Sequence, residues 1–174
     1  LYLVRHGQAS FGADDYDVLS PRGHEQAVRL GEYWRGRGMA FDAVMTGTLR
    51  RHTETLEGIA QGLGLTDQDV LPWPGLNDYD SEAIVASIHP EKPARPATPE
   101  LYRQHFRLLR DGLTAWMQGR TAPAGMPSYV DFLAGVTTAL DHVRDRHHGV
   151  KVLVVSSGGP ISTAVGHVLG TSAE

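Results

Sequence analysis

The sequence predicts an α/β fold, a three-layer αβα sandwich with a mostly parallel central sheet. Short apolar runs at 1–4, 41–45 and 150–155 have the length of buried strands, and segments with helical periodicity lie between them. Strands that alternate with amphipathic helices form parallel sheets covered on both faces. The 174 residues suit one domain. We expect 1–174 to form it, with 73–120 as a cap or insertion region.

The elements of the first half follow from local signals. Residues 1–4 form the first predicted strand. Ser20 and Pro21 suit the cap and first turn of a helix that stops before Gly38. The run 41–45 is the second strand. A helix is then predicted over 49–61, and a third strand at 70–71.

The second half contains two longer helical stripes. A proline-containing stretch at 89–99 precedes them and is expected to be an irregular surface excursion. Apolar side chains recur at helical spacing and are expected to be core: Tyr102, Phe106, Leu109, Leu113 and Trp116 in one stripe, and Tyr129, Leu133, Val136, Leu140 and Val143 in the next. The last strand is predicted at 150–155, followed by a helix over 161–169.

Composition excludes several functional classes. The net charge of −4 argues against a nucleic-acid partner. The chain has no cysteine, which excludes disulfides, thiolate metal sites and cysteine nucleophiles and fits a cytoplasmic location. No segment approaches the roughly 20 apolar residues of a membrane span. The histidines show no metal-ligand spacing, so we expect no metal and no cofactor. Because the chain starts inside a strand, we expect its natural N-terminus to lie upstream.

Three predicted strand ends carry groups that suit an anion. Arg5-His6-Gly7 follows the first strand, Arg50 and Arg51 follow the second, and the last runs into Ser156-Ser157-Gly158-Gly159 before a helix. Parallel sheets bind ligands beyond the carboxyl ends of their strands. Guanidinium forks and the free amides of a glycine turn at a helix start both hold phosphate oxygens. The three ends together predict a phosphate pocket with a reactive imidazole.

Five segments, in this order, resemble motifs of the histidine phosphatase superfamily, also called phosphoglycerate-mutase-like. Residues 4–8 (VRHGQ) resemble its nucleophile motif, and 19–27 (LSPRGHEQA) resemble its Leu-Thr-x-x-Gly-x-x-Gln-Ala helix start. Residues 46–55 (TGTLRRHTET) resemble Ser-Ser-Pro-Leu-x-Arg-Ala-x-Gln-Thr, with the pocket arginine at Arg51 rather than Arg50. Residues 76–78 (LND) resemble the Leu-x-Glu segment, and 154–159 (VVSSGG) resemble Val-Ser-His-Gly-Gly.

The resemblance implies a phosphomonoester hydrolase that needs no metal. His6 would attack phosphorus and carry the phosphoryl group, and Asp78 would protonate the leaving oxygen and then assist water. The residues implied to bind phosphate are Arg5, Arg51, Ser157 and Gly158. The expected partner is a phosphorylated small molecule or a phosphoprotein.

Three positions depart from the family pattern. Ser157 stands where the family has a second histidine, and losing such a donor costs about 10²–10³ in rate. We therefore expect slow turnover, and a gain in rate from Ser157→His. Asp78 replaces the usual Glu, which leaves Asp80 and Glu82 as rival proton donors. Gly12 stands where relatives often have Asn, and Ser10 is a possible substitute.

Other functions remain open at the level of sequence. The departures also fit a catalytically impaired protein that binds a phosphorylated ligand. Phosphoglycerate-mutase-type transfer to an alcohol is a further alternative. A serine hydrolase with Ser157 as nucleophile is disfavoured, because Val155 occupies the first glycine position of Gly-x-Ser-x-Gly. Within the cap region, four arginines could meet an acidic substrate: Arg95, Arg103, Arg107 and Arg110.

Overall fold

The computed structural model describes residues 1–10, 15–89, 91 and 98–171, and these contain a four-stranded, all-parallel sheet. The strands are β1 (Tyr2–Arg5), β2 (Ala43–Thr46), β3 (Val70–Pro72) and β4 (Val152–Ser156), in the order β1-β4-β2-β3. Each strand begins within two residues of its predicted start. The α/β class and the parallel sheet predicted from the sequence are confirmed.

Six helices connect and cover the strands in the described part of the chain. They are α1 (Pro21–Arg35), α2 (Arg50–Leu63), α3 (Ser81–Ala86), α4 (Pro99–Met117), α5 (Tyr129–Arg146) and α6 (Gly158–Leu169). The Ser20 hydroxyl caps α1 by accepting a hydrogen bond from the Gly23 amide at 3.1 Å. Helix α3 was not predicted, because six residues are too few to show a clear helical period. None of the helices in these described ranges is both long and apolar enough to cross a membrane.

The strands alternate their side chains between two helical layers. Val44, Leu153 and Val155 pack on one face against α1 and α2. Met45 and Val154 point to the opposite face, where α5 covers them. Helices α3, α4 and α6 join that second layer around buried Trp116, Phe132 and Ile84. The three predicted layers are therefore present, and the carboxyl ends of β1, β2 and β4 meet at one edge between them.

The apolar stripe of α4 is only partly core. Trp116 is 2% exposed, and Leu109 and Leu113 are partly buried against the core. Tyr102 and Phe106, in contrast, are 38% and 61% exposed, so the prediction that they belong to the core is wrong. A periodic stripe identifies one face of a helix but not how much of that face is covered. In this protein the amino-terminal half of α4 extends beyond the core and borders a cavity.

Candidate active site

His6 lies immediately after β1, where the backbone holds it firmly. Its amide donates a 2.9 Å hydrogen bond to the carbonyl of Ser156 in β4, which continues the sheet by one residue. The imidazole is 8% exposed, and its Nδ1 lies 2.6 Å from the Gly7 carbonyl oxygen. A carbonyl can only accept, so Nδ1 carries the proton in the neutral ring. The lone pair is then on Nε2, the nitrogen available for nucleophilic attack.

The surroundings of His6 keep the ring neutral. Burial lowers the pKa of His6 most, and the nearby charges of Arg51 and Arg5 lower it further. The hydrogen bond to Gly7 and the carboxylate of Asp17 act in the opposite direction without cancelling this effect. A histidine whose pKa lies below the usual value has already lost its proton in mildly acidic solution. The nucleophilic form is therefore present at neutral pH.

The glycine of the first motif permits a close backbone approach. A Cβ on Gly7 would lie 2.4 Å from the carbonyl oxygen of Gly23 in the first turn of α1, so no side chain fits there. The Gly7 amide also donates to Thr55 Oγ1 of α2 at 3.1 Å. These contacts join the end of β1 to α1 and α2. They explain why the sequence has glycine at positions 7 and 23 and threonine at the end of the 46–55 motif.

Arg51 is held inside the site between two carboxylates. Its side chain is 8% exposed, with Nη1 2.7 Å from Asp17 Oδ1 and Nη2 3.7 Å from Asp78 Oδ2. The guanidinium also lies over the ring of Tyr16, 5.3 Å from its centroid. Arg50 instead points outward, with its side chain 62% exposed and paired to Glu54. Of the two arginines, Arg51 lines the cavity and Arg50 does not.

Asp17 is a site residue that the sequence analysis missed. Besides binding the Arg51 side chain, its carboxylate accepts the Arg50 amide at 2.9 Å and so caps α2 from outside the helix. The residue at the helix start, Leu49, has no capping side chain. A leucine side chain cannot cap a helix. Its place at the start of α2 was therefore the available signal that a side chain from elsewhere supplies the cap.

Asp78 lies on the loop between the 3-10 turn Pro74–Leu76 and α3. Its side chain is 20% exposed, and burial raises its pKa above the usual value. Four groups oppose that rise: the charge of Arg51 and hydrogen bonds from the Tyr79 amide, the Ser157 hydroxyl and the Gly159 amide. A carboxyl with a raised pKa that still receives hydrogen bonds is suited to release a proton and then stabilise the resulting anion.

Neighbouring residues fix the Asp78 loop. Asn77 Oδ1 accepts the Thr48 amide at 2.6 Å, and Asn77 Nδ2 donates to Thr48 Oγ1 at 2.7 Å, which links this loop to the turn before α2. The rival acid Asp80 is exposed and caps α3 by accepting the amides of Glu82 and Ala83. Asp80 therefore has a structural task, and Asp78 is the acid that faces the cavity.

Ser157 is not where a direct phosphate ligand is expected. It is completely buried, does not line the cavity, and its Oγ lies 2.6 Å from Nε2 of His52. His52 is also completely buried, and its ring centroid is 5.8 Å from that of His6. The sequence analysis missed His52. The available signal was a pair of matching departures from the family motifs. His52 stands where the motif has alanine, and Ser157 stands where the motif has histidine.

A cavity of about 720 Å³ brings these parts together. Its floor consists of Arg5, His6, Arg51, Asp78 and the first-turn glycines of α6, Gly158 and Gly159. The first amides of a helix have no partner within the helix, so they point positive charge at the cavity. Arg5 lies beside them, since a Cβ on Gly158 would be 3.8 Å from Arg5 Nε. The space easily admits a tetrahedral phosphate.

The wall of the cavity comes from α4, the loop after β1 and the loop before α3. It contains Tyr16, Tyr79, His105, Phe106 and Leu109. The cap-region arginines considered above are not part of it: Arg103 pairs with Glu100, Arg110 pairs with Asp111, and Arg107 is exposed outside the lining. Gly12 and Arg95 lie outside the described residues. Ser10 is described but does not line the cavity.

Metal ligation finds no support in the described ranges, where no group of three or more histidine or acidic side chains is arranged to hold an ion. The positive character of the floor comes from guanidinium groups and helix amides instead.

Comparison with known proteins relates the whole chain to one family. The family model of the histidine phosphatase superfamily (branch 1) matches residues 1–174. A 2,3-bisphosphoglycerate-dependent phosphoglycerate mutase of Mesorhizobium japonicum is 33% identical over 87 residues, which is 46% of this chain and 42% of the mutase. A broad-specificity phosphatase of Saccharomyces cerevisiae is 39% identical over 62 residues, 32% of this chain and 26% of the phosphatase. The matches thus span less than half the length of these curated relatives.

Among solved structures, a phosphoserine phosphatase of Entamoeba histolytica in complex with 3-phosphoglyceric acid superimposes with a TM-score of 0.64 at 20% identity. The superposition covers 97% of this chain and 79% of that one. At this identity the likeness concerns the fold, and it extends over nearly the whole chain.

Proposed function

We propose that this chain, which belongs to the histidine phosphatase superfamily, hydrolyses phosphomonoesters through a phosphohistidine on His6. The observation that carries the proposal is the free Nε2 of His6, whose Nδ1 is bound to the Gly7 carbonyl 2.6 Å away. That nitrogen belongs to a cavity floor that also holds two guanidinium groups and the amino terminus of α6. Such a floor suits an anion that is attacked in line by nitrogen.

In the first half-reaction, His6 Nε2 forms a bond to phosphorus while the bond from phosphorus to the leaving oxygen breaks. Asp78 gives its proton to that oxygen, so the alcohol leaves neutral. In the second half-reaction, the Asp78 carboxylate takes a proton from water as the water oxygen attacks phosphorus. The bond to Nε2 then breaks, which releases phosphate and restores both residues.

The phosphate oxygens would be held by Arg5, Arg51 and the Gly158 amide. These groups oppose the negative charge that builds on the equatorial oxygens during transfer. Ser157 is not assigned a direct contact, because it is buried behind the floor. The segment 73–120 serves as the cap, since it supplies Asp78 and the α4 wall of the cavity. The substrate class is a phosphorylated small molecule or a phosphoprotein.

Hydrolysis of para-nitrophenyl phosphate tests the proposal. We expect the wild-type protein to turn over and to form a phosphoenzyme that is stable in alkali and labile in acid, as phosphoramidates are. His6→Ala should abolish both, while the exposed His24→Ala should retain both; the His24 side chain is 51% exposed. Vanadate binding without turnover or phosphoenzyme would instead indicate a binding protein. Transfer of the phosphoryl group to an added alcohol in preference to water would indicate a mutase.

A further inference from the structure

The pair His52 and Ser157 forms a buried connection behind the proposed proton donor. Both residues are 0% exposed, and His52 Nε2 lies 2.6 Å from Ser157 Oγ across 105 positions of sequence. Asp78 lies against the same helix start, since a Cβ on Gly159 would be 2.5 Å from Asp78 Oδ1, and the nearby Ser157 hydroxyl lowers the pKa of the Asp78 carboxyl. This buried polar pair joins α2 to the start of α6 and lies beside Asp78. It can therefore affect proton transfer by Asp78.

The hydrogen-bond partners of the His52 ring determine which of its two nitrogens carries the proton. Burial lowers the pKa of His52 to about 3, so its ring is neutral and carries one N–H. Within the part of the chain that the structure describes, Nδ1 has no hydrogen-bond partner and faces Gly47, where a Cβ would lie 2.2 Å away. A buried N–H without a partner is rarer and costlier than an unused lone pair. The proton therefore resides on Nε2 and is donated to Ser157 Oγ.

That donation fixes the direction of the next hydrogen bond. With one lone pair of Oγ engaged by His52, the Ser157 hydroxyl proton is directed toward Asp78. A donor on one carboxyl oxygen leaves the acidic proton of Asp78 on the other oxygen. After transfer, the same hydroxyl stabilises the carboxylate.

We propose that His52 is a positioning residue for the proposed phosphoryl transfer: through Ser157 it orients the carboxyl of Asp78 as proton donor. The inference rests on the proposed function, but it concerns a residue that never touches substrate. It does not remove the reason to expect slow turnover, because the neutral imidazole at 52 lies behind the floor and supplies no donor to the phosphate. It further reverses the expected gain from Ser157→His, since two imidazoles cannot share this filled space.

Other titratable and charged groups also face this connection. His52 is surrounded by Arg51 on its own helix, His6 at the end of β1 and Asp17 from the loop before α1. Asp78 has Arg51 and the phenol of Tyr79 beside it. None of these substitutes for the contact between Nε2 and Ser157, so His52 can be varied while they stay in place.

The test compares two variants of similar size. His52→Gln places an amide N–H near the position of Nε2 and should behave as wild type. His52→Leu fills the space without a donor. We expect kcat for His52→Leu to fall roughly tenfold and the pKa of Asp78 to rise by about one unit, the scale of one ordered hydrogen bond to a charged group. The alkaline limb of the pH–rate profile should move upward by the same amount.

A direct titration separates failure of this inference from failure of the proposed function. Carboxyl NMR of Asp78 in wild type, His52→Gln and His52→Leu needs no turnover. An unchanged Asp78 pKa in folded His52→Leu would overturn the positioning role even if the enzyme is active. An inactive wild type that still shows the shift would overturn the hydrolase and keep the connection. In kinetics, Ser157→His should lose activity, and adding His52→Ala should restore it at least partly; no restoration counts against the inference.

Discussion

The floor and the wall of the cavity are built on different physical terms. On the floor, the His6 residue and the Arg51 side chain are each 8% exposed, and each side chain has a close polar partner, the Gly7 carbonyl and the Asp17 carboxylate respectively. On the wall, Phe106 is 61% exposed and comes from the amino-terminal half of α4, which extends beyond the core. Buried, hydrogen-bonded groups are preorganised and act without rearrangement. We therefore expect the chemistry to take place at the buried sheet edge and the exposed helix to select the leaving group.

The largest expected effect is loss of the proton donor on the floor. Asp78→Asn should lower kcat by about 10²–10⁴ on alkyl phosphates, whose leaving oxygen needs a proton. The loss should be much smaller on para-nitrophenyl phosphate, because nitrophenolate leaves without one. Asp80→Asn is the matched control and should retain activity, since Asn also caps α3. Equal losses on both substrates would argue against a role for Asp78 in protonation.

The pH profile of the same enzyme follows from the two shifted groups. His6 must be neutral, and its pKa lies below 6.5; Asp78 must be protonated, and its pKa lies above 3.8. Activity should therefore rise with pH as His6 deprotonates and fall as Asp78 deprotonates, which gives a bell-shaped profile. In Asp78→Asn the fall at higher pH should disappear, which steady-state kinetics on an alkyl phosphate would show, since its leaving oxygen needs the proton.

A second effect on the floor concerns the buried guanidinium. Arg51→Met keeps much of the side-chain volume but removes the charge between Asp17 and Asp78, and we expect kcat/KM to fall about 10²–10³. Arg50→Met changes the adjacent residue, whose side chain is 62% exposed, and should change kcat/KM little. Similar losses of kcat/KM in Arg51→Met and Arg50→Met would mean that the overall positive potential of this region acts on the substrate, rather than the Arg51 guanidinium at its particular position.

The floor was largely predictable from the sequence, whereas its supports were not. His6, Arg51 and Asp78 follow strands or recognisable motifs, so their meeting at one sheet edge could be inferred from topology. Asp17 and His52 act through side-chain contacts with residues 34 and 105 positions away, and no local pattern marks such pairs. The same limit explains Phe106, since the period of a helix shows its apolar face but not which other element covers it.

The pH dependence of protein stability gives a smaller and independent measure of how deeply His52 is buried behind the floor. The pKa of His52 is about 3 in the folded protein, below the 6.5 of an unfolded chain, so the unfolded state takes up protons first as pH falls. This proton uptake lowers the free energy of unfolding. The effect disappears as the pH rises above 6.5 and should reach about 2 kcal/mol at pH 5. Urea unfolding of His52→Gln should show this much less acid destabilisation than wild type. Parallel acid dependence in the two proteins would indicate a solvated His52.

The smallest effect is expected on the wall. Phe106→Ala should raise KM roughly fivefold for naphthyl phosphate, because an aromatic leaving group loses about 1 kcal/mol of apolar contact. It should leave kcat nearly unchanged and hardly affect ethyl phosphate, which is too short to reach α4. Arg107→Ala, on the neighbouring position outside the cavity lining, is the control and should affect neither substrate. If Phe106→Ala instead lowered kcat for both substrates, the exposed helix would take part in organising the floor, and the division between rigid chemistry and exposed selection would be wrong.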